Sequence, residues 1–372
     1  TIAVVHNGII ENYMKLKTKL IQKGYSFQSQ TDTEVVVQML DYYYEGDALA
    51  AIAKVITRLE GSYALGIVFN DRPDELYAVR KDSPLIVGAA QGEYFIASDV
   101  PAILKHTRNV YYLDNGEIVR LTRDGVSFFN GDLDAVHKEI STVSWDISAA
   151  EKGGYEHFML KEIHEQPKAV KDTINPRIRD NEIVIEELNM SEDDIRKLNK
   201  IYIVACGSAY HTGVTGKYVI EDLARIPVEV DLASEFRYRN PILDDKTLTI
   251  IISQSGETAD SLAALREAKR QGVKVLGIIN VVGSSIAREA DNVMYTWAGP
   301  EIAVATTKAY STQLCALYLL ALHFAKVRGT LPQDRYRQLL ADLKKLPEQI
   351  QDIIDKNISR IQYYASRSEE HT

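Results

Sequence analysis

Cysteine is nearly absent from this 372-residue sequence, and none precedes Cys206. Cys206 and Cys315 have neither paired nor metal-ligand spacing, which excludes a disulfide framework and suits a reducing, cytoplasmic compartment. We therefore expect no metal ion and no cofactor. Basic clusters are also absent, and a net charge of −9 argues against nucleic acid as a partner. The longest apolar run, residues 314–325, is too short to cross a bilayer and predicts a buried helix, so no membrane partner is expected.

Nucleotide-binding motifs are missing too, since neither G-x-x-x-x-G-K nor G-x-G-x-x-G occurs. In their place, Ser253-Gln254-Ser255-Gly256-Glu257-Thr258 follows the apolar run 248–252 and precedes a predicted helix. The first N–H groups of a helix lack partners within the helix, and glycine lets the backbone approach a ligand. The segment therefore predicts a site for a small phosphorylated ligand. An ordinary strand-to-helix turn capped by Ser or Thr is the alternative.

A second segment has the same order of features. Residues 200–205 predict a buried strand, and Cys206-Gly207-Ser208-Ala209 leads from it into a helix that ends near residue 223. Because the carboxyl ends of parallel strands meet at one edge of a sheet, we expect the two loops to lie side by side. Cys206 is interpreted as a small packing residue. Lys308, near another predicted helix start, either neutralises phosphate or lies at the surface.

The chain divides into two blocks of different pattern, so the overall class is α/β. Residues 1–147 combine helices predicted at 9–23, 33–44 and 48–59 with a meander of short strands, which indicates an α+β domain. Residues 148–160 include small and polar positions and predict a linker. Across residues 161–372, strands and helices alternate and predict a doubly wound parallel sheet with helices on both faces. The pair Asn7-Gly8 is by itself typical of a type I′ turn, and Asp32 of a helix cap.

A series of motifs resembles one enzyme family. The segments ACGSAYHTG, ASEFRYR, SQSGETADSLAAL and EIAVATTKAYSTQL are similar to the first sugar-isomerase (SIS) domain of the glutamine:fructose-6-phosphate amidotransferases. Upstream, VVHNGIIENY and TDTEVV resemble the second half of that family's glutaminase domain, and HFMLKEIHEQP resembles the segment that joins the two. The motifs occur in family order and together span essentially the whole chain.

The resemblance implies an Ntn-type (N-terminal-nucleophile) glutaminase fold for residues 1–147 and an SIS domain with connecting helices for 161–372. It implies an aminotransferase that converts fructose 6-phosphate to glucosamine 6-phosphate with L-glutamine as the nitrogen donor, the first step of hexosamine biosynthesis. The implied partners are these two small molecules and a second copy of the chain in a homodimer, with no nucleic acid and no membrane.

The resemblance also implies roles for individual residues. Asn7 and Gly8 match the oxyanion hole of the glutaminase, and Asp32 matches the carboxylate that pairs with the α-ammonium of glutamine. The implied fructose 6-phosphate contacts are Ser208, Ser253, Gln254, Ser255, Thr258, Val304 and Thr306. Ala209 is a departure, because the family often has serine there. The lost neutral hydrogen bond is worth about 0.5–1.5 kcal/mol.

A further implication is that the sequence is a fragment at both ends. The family's nucleophile is an N-terminal cysteine, and a second SIS domain carries its acid–base groups. Thr1 is an alternative nucleophile, since an N-terminal threonine can use its own amine as base. It is disfavoured because Thr1 leads into a strand that is interior to the family's domain. We expect the 372-residue chain alone to bind a sugar phosphate and to catalyse neither half-reaction.

Two other functions fit parts of the sequence. An SIS module that senses a sugar phosphate in a transcriptional regulator would need DNA-binding helices with a basic face, which are absent. A phosphoribosyl amidotransferase would need a pyrophosphate-sugar motif in the second block, where SQSGET stands instead.

Overall fold

A computed structural model describes residues 2–143 and 152–368. The chain forms two compact units that divide between residues 150 and 151. Thr1 and residues 148–151 of the predicted linker lie outside the described residues. The end of that linker, residues 158–160, already belongs to a helix that begins at Phe158.

Within residues 2–143, the first unit combines three helices with ten strands. Its elements are β1 (Ile2–Ile10), α1 (Tyr13–Gln22), α2 (Thr33–Tyr43), α3 (Ala48–Ile56), β2 (Gly61–Phe69), β3 (Leu76–Lys81), β4 (Ile86–Ala90), β5 (Glu93–Ala97), β6 (Asn109–Tyr112), β7 (Ile118–Leu121), β8 (Val126–Phe129), β9 (Ala135–Val136) and β10 (Ser141–Thr142).

Two antiparallel sheets organise this unit. Six strands are ordered β1-β2-β3-β7-β8-β9, and four are ordered β10-β6-β4-β5. Alternate residues of β2 point to opposite faces, as the period of a strand requires. Tyr63 and Leu65 join a core with α1, α2 and α3, whereas Ala64 joins a core that includes residues of both sheets. The predicted α+β class is confirmed.

One predicted helix began too early. Residues 9 and 10 are not helical but finish β1, where Ile9 pairs with Ser62 and Ile10 with Gly61 of β2. Helix α1 begins only at Tyr13. The apolar residues near 9 have a spacing compatible with a helix, and only pairing with β2 assigns them to a strand.

The second unit alternates strands and helices. Its elements are α4 (Phe158–Ile174), β11 (Ile178–Arg179), β12 (Glu182–Ile183), α5 (Glu192–Lys197), β13 (Lys200–Ala205), α6 (Gly207–Ala224), β14 (Val228–Leu232), α7 (Ala233–Tyr238), β15 (Thr247–Ser253), α8 (Ala259–Arg270), β16 (Lys274–Ile279), α9 (Ser285–Glu289), β17 (Asn292–Tyr295), α10 (Lys308–Arg328) and α11 (Gln333–Ser368).

The predicted parallel sheet is confirmed. Its strands are ordered β14-β13-β15-β16-β17, and every neighbouring pair is parallel. Residues of β15 are buried throughout, as expected for a strand covered on both faces. One core contains residues of α4, α6, α10 and α11, and the other contains residues of α7, α8 and α9.

Helix α10 is buried on most of its surface and includes the apolar run noted in the sequence. Among the described residues, no helix is both long enough and apolar enough to span a bilayer.

Candidate functional site

The polar segment after β15 forms a compact loop. Ser253 Oγ accepts a hydrogen bond from the Gly256 N–H at 3.0 Å and lies 3.3 Å from Thr258 Oγ1. Helix α8 then begins at Ala259, and the Thr258 hydroxyl at its N-cap makes no capping hydrogen bond. The capped-turn alternative therefore does not apply to Thr258. The first-turn N–H groups of α8 keep the orientation that suits an anion.

Gly256 is required where the loop passes the segment before α9. Its φ of +67° is left-handed, and a Cβ there would lie 2.0 Å from Ser284 Oγ. The Gly256 carbonyl also accepts the Ile286 N–H at 3.0 Å. No residue with a side chain fits this approach without displacing Ser284.

Glu257, in the middle of the same motif, holds α9 in place. Its Oε1 accepts the Ser285 N–H at 2.7 Å, and its Oε2 accepts the Ser285 hydroxyl at 2.8 Å. This role was not predicted from the sequence, because nothing local distinguishes Glu257 from a solvent-exposed helix residue.

The loop after β13 lies beside this one, as predicted. β13 and β15 are neighbours, with Ala205 opposite Ile252. The Ser261 hydroxyl of α8 contacts Cys206 Sγ at 3.8 Å and so links the two loops. Ser208 is exposed in the first turn of α6, whereas Ala209 packs against the apolar core. A methyl group at residue 209 is thus accommodated by packing.

The third predicted segment, which carries Val304 and Thr306, precedes α10. Helices α6 and α10 pack together, with Thr212 Oγ1 3.5 Å from Gln313 Oε1 and Gly216 against Leu317 one turn later in both helices. The contacting residue advances by four positions in both helices, so the two helices run parallel. Their N-termini therefore lie at the same edge of the sheet. This geometry brings the end of the segment toward the start of α6.

The two side chains of this segment differ from the residues of the cradle, the name used here for the loop of residues 253–258. Val304 is fully exposed, and Thr306 is half-buried. Within residues 152–368, neither makes a hydrogen bond to Ser208 or to the loop after β15. The structure thus groups the residues at 208 and 253–258 and places 304 and 306 on a separate segment at the same edge.

Lys308 is not a surface residue. It is 2% exposed, and its Nζ donates to Glu165 Oε2 of α4 at 2.7 Å. The surface alternative is wrong because α4, far away in sequence, covers the start of α10. The ammonium group already has a carboxylate partner.

Asn280 joins the cradle to the chain that follows β17. Its backbone N–H donates to the Gln254 carbonyl at 3.2 Å, and its Nδ2 donates to the Gly299 carbonyl at 2.7 Å. Oδ1 accepts from the Thr296 hydroxyl and the Ala298 N–H. Asn280 was not predicted from the sequence as part of this site. The available signal was an asparagine directly after a buried strand that ends at this edge of the sheet.

In the first unit, Asn7 and Gly8 lie within β1, so the type I′ turn is excluded. Asn7 pairs with Ala64 and Gly8 with Tyr63. Gly8 has φ +138°, and a Cβ there would lie 2.1 Å from the Ser62 carbonyl oxygen. Both residues are exposed on this edge strand.

Asp32 lies against the same strand. It occupies the N-cap position of α2 without making a capping hydrogen bond, and its Oδ2 instead accepts the Ile10 N–H at 2.6 Å. Oδ1 accepts no hydrogen bond within the described residues. Asp32 is therefore tied to β1 close to Asn7 and Gly8, with one oxygen left for a cation.

His6 contributes to the same region. Its Nδ1 lies 2.9 Å from Thr33 Oγ1, and burial lowers its pKa, an effect that the nearby Asp32 partly offsets. The neutral imidazole is thus favoured, which suits a packing role. No group of acidic, histidine and cysteine side chains in the described parts of the chain has metal-ligand geometry.

Comparisons with known proteins find one family match in each of the two units. Residues 1–105 match the model of a glutamine amidotransferase domain, and residues 194–323 match that of the SIS domain. The chain thus combines a glutamine amidotransferase domain with an SIS domain.

The curated relatives carry the same two parts. The protein from Caldanaerobacter subterraneus subsp. tengcongensis, named glutamine–fructose-6-phosphate aminotransferase (isomerizing), is 60% identical over 98% of this chain and 60% of its own length. Its namesake from Methanosarcina mazei is 48% identical over 95% of this chain. This chain belongs to the glutamine–fructose-6-phosphate aminotransferase family, and it spans about 60% of the length of such relatives.

A solved structure supports the fold of the second unit. The C-terminal domain of the glucosamine–fructose-6-phosphate aminotransferase from Francisella tularensis is 42% identical, with a TM-score of 0.54 over 57% of this chain and 61% of that one.

Proposed function

We propose that the protein containing this chain transfers the amide nitrogen of L-glutamine to fructose 6-phosphate and releases glucosamine 6-phosphate. The observation that supports this proposal most directly is the cradle of residues 253–258 at the start of α8. Its backbone N–H groups and neutral hydroxyls can donate hydrogen bonds to a phosphate without a lysine. High identity to relatives named for this reaction supports the assignment. Because the substrate is a phosphorylated sugar, the reaction belongs in the cytoplasm.

In this proposal Ser253, Gln254, Ser255 and Thr258 bind the phosphosugar. Ser208 contributes from the neighbouring loop, and Val304 and Thr306 from the segment before α10. A dianionic phosphate gains charge-assisted hydrogen bonds from such donors, each about 1.5–3 kcal/mol. The first-turn N–H groups of α8 add the favourable end of the helix dipole.

Glutamine hydrolysis is assigned to the first unit. The Asn7 side-chain amide and the Gly8 N–H would donate to the oxyanion that forms when the glutamine amide is attacked. The free Oδ1 of Asp32 would pair with the α-ammonium of glutamine. These groups bind and polarise the substrate. The family resemblance implies a cysteine nucleophile, and no cysteine precedes Cys206 in this sequence, so we assign no described residue to that role.

Two copies of the chain would associate through their SIS domains, as the family resemblance implies. No nucleic acid or membrane partner enters the proposed reaction, and neither a metal nor a cofactor is required by it.

The phosphate cradle is tested by the double variant Ser255→Ala/Thr258→Ala. Loss of two charge-assisted contacts should weaken fructose 6-phosphate binding at least about a hundredfold. Isothermal titration calorimetry on the full-length gene product measures this change. Thr215→Ala is the matched control, because that hydroxyl bonds only the His211 carbonyl within α6. Equal affinity of the double variant and the parent would place the phosphate elsewhere.

A further inference from the structure

Helix α4 contacts the segment from Glu301 to Thr307 through a buried carboxylate. Glu162 is 1% exposed, and its Oε1 accepts the N–H groups of Ile302 at 2.6 Å and Ala303 at 3.0 Å. One side chain of α4 thus fixes the beginning of the segment that carries Val304 and Thr306.

A second carboxylate fixes the other end of the same segment. Glu301 Oε1 accepts the N–H groups of Thr307 at 2.9 Å and Ala309 at 3.1 Å. Between the two fixed ends, Val304 projects fully into solvent. The segment is therefore a short loop whose backbone is held at both ends by carboxylate acceptors, the buried Glu162 and the half-buried Glu301.

The neighbouring residues of α4 reinforce this arrangement. Glu165 Oε2 accepts a hydrogen bond from the Lys308 ammonium at 2.7 Å, and Gln166 Oε1 accepts one from the Ser311 hydroxyl at 2.6 Å. Together with Glu162, they place one polar face of α4 along the loop and the first turn of α10. The motif LKEIHEQP, whose role the phosphate cradle leaves unexplained, supplies this whole face.

This arrangement has an energetic cost. Glu162 Oε2 is buried and has no hydrogen-bond partner within the described residues, and the Glu301 carboxylate lies close enough to interact with it. An unsatisfied buried carboxylate oxygen destabilises a fold. The hydrogen bonds that Glu162 Oε1 accepts from the Ile302 and Ala303 N–H groups offset this cost, and they are the function that we assign to a glutamate here.

We propose that Glu162 and Glu301 are positioning residues that preorganise loop 302–306, so that Val304 and Thr306 meet the phosphosugar without a further ordering cost. The inference rests on the proposed function, because it takes the ligand of this edge to be a sugar phosphate. Ordering a loop before binding saves conformational entropy that would otherwise reduce affinity.

The test compares three substitutions of Glu162 in the full-length gene product. Glu162→Ala removes the acceptor, Glu162→Asp keeps the charge but shortens the reach by one methylene, and Glu162→Gln keeps an amide oxygen that can accept both N–H groups. Asp172→Ala is the matched control, since that carboxylate of α4 pairs with Lys168 at the surface.

Two measurements are made on each variant: the Kd for fructose 6-phosphate by calorimetry, and amide hydrogen exchange of residues 302–309. Glu162→Ala should bind at least about tenfold more weakly and exchange faster in the loop. Glu162→Gln and Asp172→Ala should stay within about threefold of the parent affinity. Should Glu162→Ala not fold, Glu162→Asp provides the same comparison with the charge retained.

The outcomes separate the inference from the proposed function. A parent protein that does not bind fructose 6-phosphate contradicts the proposed function. A parent that binds, with Glu162→Ala and Glu162→Asp equal to it in affinity, contradicts the positioning role and leaves Glu162 a purely structural residue. Unchanged exchange in the loop of Glu162→Ala also overturns the inference, because the carboxylate would then not order the loop.

Discussion

Replacing Gly256 by alanine tests the geometry of the loop after β15, which is the proposed phosphate site, directly. A Cβ at Gly256 would lie 2.0 Å from Ser284 Oγ and 2.7 Å from Ser284 Cβ, far inside van der Waals contact. The left-handed φ of +67° adds about 1–2 kcal/mol for any residue with a Cβ. Forced displacement of packed atoms costs a further 1–3 kcal/mol, roughly, so we expect a total destabilisation of about 3 kcal/mol.

Gly272 provides the matched control in the same unit. Its φ is +79°, yet a Cβ there would meet no atom within 4 Å. Gly272→Ala therefore carries the backbone cost alone, about 1–2 kcal/mol. The difference between the two variants isolates the contact with Ser284.

Hydrogen exchange of the β15 amides during urea unfolding reports the stability of the second unit by itself. We expect Gly256→Ala to lose about 2 kcal/mol more than Gly272→Ala, and Gly256→Ala/Ser284→Gly to recover most of that difference. Equal losses in the two single variants would refute the close approach. No recovery in the double variant would mean that an atom other than those of Ser284 is the obstacle.

Two further predictions concern the other groups described above. In the full-length gene product, Asn7→Ala should lower the glutaminase kcat about a hundredfold, as loss of one oxyanion donor does, and a change in KM alone would contradict the assigned role. Burial lowers the pKa of His323 in the folded chain below its ordinary value of 6.5. As the pH falls below 6.5, the imidazole therefore binds a proton more readily in the unfolded chain than in the folded one. This difference lowers the free energy of unfolding. His323→Gln should therefore show a smaller drop in the free energy of unfolding between pH 7.5 and 5.5 than the parent, measured by urea titration. Equal drops would exclude His323 as the titrating group.

Local sequence patterns were sufficient to predict secondary structure where a strand is buried on both faces. β13 and β15 are largely apolar strands, and each is followed by a glycine that admits a left-handed φ and by polar residues near the start of a helix. These signals depend on near neighbours in the sequence, so the parallel sheet and the adjacency of its loops were predictable.

Local patterns failed where a distant partner outweighs them. Asn7-Gly8 has the sequence of a hairpin turn, yet both residues pair with β2, more than fifty residues later, and Gly8 is needed because the Ser62 carbonyl occupies the place of its Cβ. Lys308 has the sequence of an exposed helix start, yet Glu165 of α4 buries and neutralises it.

The sequence by itself determined the class of fold and the edge of the sheet at which the loops after β13 and β15 lie, because strand burial and helix initiation depend on short spans of chain. Only the tertiary structure placed Asn280 and Ser284 against the loop after β15, and Glu162 against the segment before α10. Their hydrogen bonds and contacts join segments far apart in the chain, and such contacts depend on how the elements pack rather than on any local spacing.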